Sequence, residues 1–214
     1  MTLDAARYYE DLAAAYARGA LALGLEAGDD EALRQAAVAG LRLFRFKRSE
    51  LPRVRRVLGL LRGLWPAELL DAGSGRGTFL WPLLAGLPAL RVTSVERCPR
   101  RAGQLAAVAR GLAGARLRAL RGDLSRLPLS DGAFDGATAL EVLEHLPDPG
   151  AAARELVRVV RRFVIASVPS KPDDNPEHLR VFSPADLRDL FLRAGARRVE
   201  VEHVLNHRIA VAQR

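Results

Sequence analysis

The chain has 214 residues, 49% hydrophobic and 27% charged, a globular composition long enough to bury a core without disulfides or metal staples. No stretch approaches the roughly 18 uncharged apolar residues of a membrane span, and a lone Cys98 excludes an internal disulfide and a multi-thiolate zinc site. The acid-bearing start Met1-Thr2-Leu3-Asp4 is unlike a secretory signal, so the expected location is cytoplasmic. A net charge of +8 invites a nucleic-acid reading, yet of 33 basic residues only Lys47 and Lys171 are lysine, a skew that reads as GC-rich coding.

The excess charge is concentrated in residues 42–62, where eight basic residues face Glu50 alone. Around that segment the pattern is helical. Tyr9, Leu12, Ala13 and Tyr16 form one stripe, Leu33, Ala37, Leu41 and Phe44 a second, and Leu51, Val54, Val57, Leu58 and Leu61 a third. Gly28 and Ser49 supply breaks or caps, and Pro52 suits a first helical turn. Residues 1–64 are therefore expected to form a helical extension or lid, and residues 65–214 a separate domain.

After Pro66 the period changes. Short apolar runs at 68–71, 91–95, 116–120, 134–139 and 163–168 read as strands, and amphipathic stretches at 77–87, 100–112 and 149–160 read as the helices that cross between them. Ser183-Pro184-Ala185-Asp186 resembles a capping box whose helix stops at Gly195, and residues 199–205 and 209–211 form a closing hairpin. The alternation predicts an α/β fold, a Rossmann-like doubly wound sheet covered on both faces, mostly parallel.

The first strand runs into Asp71-Ala72-Gly73-Ser74-Gly75-Arg76-Gly77, a strand-to-helix turn that lets a nucleotide-like ligand approach the backbone. Its glycines are spaced G-x-G-x-G, with Thr78 where a dinucleotide fingerprint needs glycine or alanine. That spacing and the Gly-Asp-Leu segment at 122–124 weigh against a nicotinamide dehydrogenase. Glu96, ending the second strand with Arg97 beside it, is placed to accept ribose hydroxyls. Asp123 follows the third strand, where it can accept a hydrogen bond from an exocyclic amine.

The stretches at 69–77, 92–96, 122–124 and 134–146 together resemble the class I S-adenosylmethionine-dependent methyltransferases, type 11/23-like. The resemblance covers about 150 residues, in family order. It implies a seven-stranded sheet with an antiparallel last strand and S-adenosylmethionine as cofactor. Asp71, Gly73, Ser74, Gly75 and Gly77 would surround the methionine part, and Glu96 the ribose. Asp123 with Leu124 would read adenine, and Leu140 and Glu141 would border the sulfur. A sulfonium methyl needs little acid or base help to leave, so alignment for in-line attack supplies most of the rate. Acids around a cationic cofactor explain an Asp- and Glu-rich site in a basic protein.

Glu141-Val142-Leu143-Glu144-His145 places Glu141, Glu144 and His145 on one face of a helix, and His178 follows the fifth strand at the same edge. Such a set can hold a divalent ion. It resembles the metal-dependent small-RNA terminal 2′-O-methyltransferases and the quinone-biosynthesis methyltransferases. The favoured reading is without metal: Glu144 and His145 brace the helix, and His145 or His178 serves as a general base. His203 and His207 are read as surface groups. The expected acceptor is a small molecule, methylated at oxygen or nitrogen. RNA is less favoured, because only Phe44 and Phe46 interleave with the basic charges. An anionic acceptor would suit residues 42–62, although a solvated arginine face is the weightier reading of them. A non-catalytic binding protein of this fold is the remaining alternative.

Overall fold

A computed structural model of the protein describes residues 5–43, 51–172 and 174–214. The expectations placed on Phe44, Phe46 and Ser49, and the charges of Arg45, Lys47, Arg48, Glu50 and Asp173, lie outside the described residues.

Three helices come first: α1 (Ala5–Leu21), α2 (Asp29–Val38) and α3 (Pro52–Leu64). The alternating part follows as β1 (Glu68–Ala72), α4 (Leu80–Gly86), β2 (Arg91–Glu96), α5 (Pro99–Gly111), β3 (Leu117–Arg121), β4 (Phe134–Leu140), α6 (Pro149–Val159), β5 (Val160–Pro169), α7 (Pro184–Arg193), β6 (Arg198–Val204) and β7 (His207–Gln213). The sheet order is β3-β2-β1-β4-β5-β7-β6, and only β7 runs against its neighbours. From β1 the chain winds outward through β2 and β3, then returns to place β4 on the other flank of β1. That reversal opens a crevice beyond the carboxyl ends of β1 and β4, where this kind of sheet binds its ligands.

Alternation along the strands builds two cores. Leu69, Phe163 and Ile165 face α1, α3, α4 and α5, while their neighbours Leu70, Val164 and Ala166 face α6 and α7. Tyr9, Leu12, Val54, Val57 and Leu61 share the first core with Leu69, Trp81 and Val92, so one apolar cluster crosses the division at residues 64/65. Contact between α1 and α5 is backbone-close. A Cβ on Gly19 would lie 1.8 Å from the Ala107 carbonyl oxygen, and one on Gly111 would lie 1.8 Å from that of Ala15. Arg18 Nε donates to the Gly111 carbonyl at 3.2 Å, and Arg110 donates to the Gly19 carbonyl at 3.0 Å, so the pair is clasped from both sides.

The stripe proposed for α2 is shifted. Ala32 and Ala36 are buried against Ala17, whereas Ala37 faces solvent, because the small side chains, not the larger Leu33, allow close approach to α1. The helix expected from Gly77 begins only at Leu80, since the turn that precedes it is committed to the glycine loop. The Ser183–Asp186 capping box forms as read, with Pro184 in the first turn, and Gly195 ends the run at φ +100°. His207 opens β7; the hairpin turn is made by Leu205 and Asn206.

Candidate cofactor site

The carboxyl ends of β1, β2, β3 and β4 share one edge, and residues at and after them line two adjoining cavities. The larger, about 710 Å³, is bounded by Gly73, Gly75, Glu96, Arg97, Cys98, Asp123, Leu124, Glu141, Val142 and His145, among others. It lies within the usual range for small-molecule sites. The smaller, about 170 Å³, is bounded by Asp71, Gly73, Ser74, Gly75, Thr78, Phe79, Leu140, Glu141 and Arg53, again among others. Gly73, Gly75 and Glu141 belong to both, which makes them the junction.

The loop between β1 and α4 is built for close approach. Gly73 and Gly77 sit at φ +73° and +76°, where side-chain-bearing residues are disfavoured. A Cβ on Gly73 would fall 2.6 Å from Val142, and one on Gly77 would fall 2.0 Å from the indole nitrogen of Trp81. That indole donates to the Arg76 carbonyl at 2.8 Å, and the Tyr8 hydroxyl donates to the Trp81 carbonyl at 2.9 Å. Gly77 therefore shapes the loop from behind and does not line either cavity.

Asp71 is buried at the end of β1. Its carboxylate accepts the Ser74 hydroxyl at 2.5 Å and the Thr138 hydroxyl at 2.8 Å. Burial raises its pKa to about 6, although both hydroxyls pull the other way; the Glu96 charge adds to the rise. Glu96 spans the loop and the next strand, accepting the Gly75 N–H and the Cys98 N–H, both at 2.9 Å, on different oxygens. Each oxygen keeps a further lone pair for a ligand. Asp123 is exposed at the rim. It is held by the N–H and hydroxyl of Ser125, both at 2.8 Å, and those bonds lower its pKa. Arg116, just before β3, donates to the Leu84 carbonyl at 3.1 Å.

The helical face joining Glu141 to Glu144 and His145 does not form. Glu141 takes φ +58°, its N–H continues the β4–β5 ladder to the Ser167 carbonyl, and only Leu143–His145 makes a 3-10 turn. The Glu141 side chain turns instead to the Ser167 hydroxyl at 2.7 Å and to His207 Nε2 at 3.2 Å. His207 is thus not a surface group, and neither it nor Ser167 carried a sequence signal, since both meet Glu141 only through sheet pairing. His203 is exposed, as read.

Glu144, His145 and His178 do come together. Their ligand atoms lie within 4.8 Å of one another, the two imidazoles 4.7 Å apart between centroids. Glu144 is fully buried, and its carbonyl accepts the Leu179 N–H, which ties the His178 loop to the 3-10 turn. His145 Nδ1 contacts the Glu177 carbonyl at 3.0 Å and lines the larger cavity; His178 does not line it.

Residues 70–165 match the sequence model of a methyltransferase domain. That stretch is methyltransferase-like in sequence. The chain is 31% identical over 162 residues to the O-methyltransferase cnsE of Penicillium expansum, covering 66% of this chain and 57% of that one. It is 32% identical over 124 residues to the demethylmenaquinone methyltransferase of Thermus thermophilus, covering 55% and 54%. The chain thus spans little more than half the length of these curated relatives. Among solved structures, a SAM-dependent methyltransferase from Aquifex aeolicus superposes with TM-score 0.60 at 17% identity, over 77% of this chain and 99% of that one. Magnesium protoporphyrin IX methyltransferase from Synechocystis, with bound SAH, gives 0.61 at 20% identity, over 76% and 82%. These structural likenesses establish the shared methyltransferase fold. Among the described residues, no helix is long and apolar enough to cross a membrane.

Proposed function

We propose that the protein transfers the methyl group of S-adenosylmethionine in line to an oxygen or nitrogen of a small-molecule acceptor. One observation carries this reading: acids from successive strand ends, Asp71, Glu96, Asp123 and Glu141, bound two adjoining cavities around a glycine loop. In the proposal the adenosine occupies the larger cavity, with Glu96 on the ribose, Arg97 beside it, and Asp123 and Leu124 at the base. The amino-acid end occupies the smaller cavity beside Asp71, Gly73, Ser74 and Gly75. Leu140 and Glu141 then flank the sulfonium at the junction. Calorimetric titration with S-adenosylhomocysteine tests it. Wild type should bind, and Glu96→Ala, which removes an acceptor for ribose hydroxyls, should weaken affinity about tenfold to hundredfold. A wild type that binds nothing, or a variant that binds equally well, defeats the reading.

A second reading is metal assistance, favoured by one carboxylate and two imidazoles gathered beside the larger cavity. That donor set suits zinc or manganese. In this reading Glu144, His145 and His178 hold the ion, which would supply Lewis-acid polarisation of an acceptor oxygen; without it, His145 remains the candidate base. Titrating zinc into chelator-washed protein should reveal one site that is lost in His178→Ala. No heat at millimolar metal removes the metal and leaves the methyltransferase reading untouched. An anionic acceptor draws less support from residues 42–62 than their charge suggests, because Arg56 is committed to Glu202 through two contacts of 2.7 Å.

A further inference from the structure

Arg53 enters the site from outside the methyltransferase motifs, in the first turn of α3, and lines the small cavity with Asp71 and Glu141. Only 15% of its side-chain surface is exposed, and its nearest charged partner, Glu141, stands 3.7 Å away, beyond hydrogen-bonding distance. A guanidinium offers five donors, and one this sheltered ordinarily finds acceptors. Arginines of comparable burial elsewhere in the chain do so: Arg18, 11% exposed, donates to the Gly111 and Ala27 carbonyls, and Arg158, 29% exposed, to those of Leu127 and Leu129. Among the described residues Arg53 makes no such bond, and its side chain borders the small cavity.

The position is rigid. Val54 and Val57 on the same helix are buried in the core, and Arg56 clamps α3 to β6 through Glu202. The small cavity therefore presents a fixed cation and a buried carboxyl group, the complement of a zwitterionic α-amino acid. We propose that Arg53 binds the α-carboxylate at the amino-acid end of the cofactor, so that the N-terminal helices complete the cofactor site as well as covering the acceptor. This rests on the S-adenosylmethionine reading above and adds to it a residue and a contact. The arginines of the basic segment then differ in role, with Arg53 facing inward, Arg56 anchoring the helix, and Arg55 and Arg62 facing solvent.

Two ligands separate this role from a structural one. S-adenosylhomocysteine carries the amino-acid end; 5′-methylthioadenosine keeps the adenosine and the thioether but lacks it. Arg53→Gln should weaken S-adenosylhomocysteine about tenfold to hundredfold in calorimetry and leave 5′-methylthioadenosine unchanged. Arg53→Lys, which keeps the charge and loses the fork, should fall between. Arg55→Gln, on the exposed face, should match wild type. Equal losses for both ligands in Arg53→Gln would mark a packing role and overturn the assignment, as would no loss for either. A selective loss in Arg76→Gln instead would move the contact to that other arginine of the small cavity and overturn it too. Wild type binding neither ligand would fail the cofactor reading itself, and this contact with it.

Discussion

Gly111→Ala is expected to destabilise the protein by about 3 kcal/mol, at the upper end of what a small overpacking substitution does. The added Cβ would meet the Ala15 carbonyl oxygen at 1.8 Å, and a backbone atom in a helix cannot swing aside as a side chain can. Relief requires α1 to withdraw from α5 along a face where Ala14, Ala15 and Ala17 are fully buried, and withdrawal stretches the Arg18 and Arg110 clasp. The control lies in the same helix. A Cβ on Gly103 meets nothing within 4 Å, so Gly103→Ala should stabilise by about 0.5–1 kcal/mol through helix propensity alone. Urea unfolding of both variants, with unchanged m-values, reads the two effects with opposite sign. Equal and small effects would mean that α1 does not rest on α5 as described.

How much of the fold and site is legible in the sequence follows from the range of the interactions concerned. All seven strands and the crossover helices are readable because their periods are local: Val92 and Val95 fall on opposite faces of β2 whatever surrounds them. Asp71, Glu96 and Asp123 are readable because each lies at or just beyond the carboxyl end of a strand, and parallel strands share an edge. The close approach of Gly19 to Ala107 and of Gly111 to Ala15 is not readable, since glycine in a helix signals only weakness until a second helix lies on it. Arg53 is hidden in a basic run, and nothing within the run distinguishes it from Arg55. The error at Glu141 has a specific cause. The i, i+3, i+4 spacing to Glu144 and His145 is a true helical signature, but the residue takes φ +58° to finish the ladder to Ser167, which sends its carboxylate toward β7. Long-range pairing outweighs local spacing there, and the same pairing brings in His207.

Asp71 should set an acid limit on cofactor binding. Its pKa, raised to about 6 by burial, means that the carboxylate is largely protonated at pH 5. If the ionised form is the one that faces the cofactor, affinity for S-adenosylhomocysteine falls about tenfold for each pH unit below 6. Asp71→Asn should bind about a hundredfold more weakly at pH 7.5, the scale of a lost charge-assisted contact, with no pH dependence between about 5 and 7. A variant that keeps the wild-type slope would assign the titration to another group. Stability should move the opposite way. A carboxyl whose folded pKa lies above its ordinary value of 3.8 contributes stability below 3.8 that is lost as the pH rises through 6, so at neutral pH the buried charge costs on the order of 2–3 kcal/mol. Asparagine removes that cost but satisfies the Ser74 and Thr138 hydroxyls less completely, so the ligand-free variant should melt roughly 3–6 °C above wild type at about pH 7.5. At about pH 4.5, where Asp71 is largely neutral in the folded protein, most of the advantage should vanish. A residue kept only to brace the loop would show the reverse at neutral pH, a lower melting point with unchanged affinity. The opposite signs of the two effects are what distinguish a carboxylate retained for its ligand from one retained for the fold.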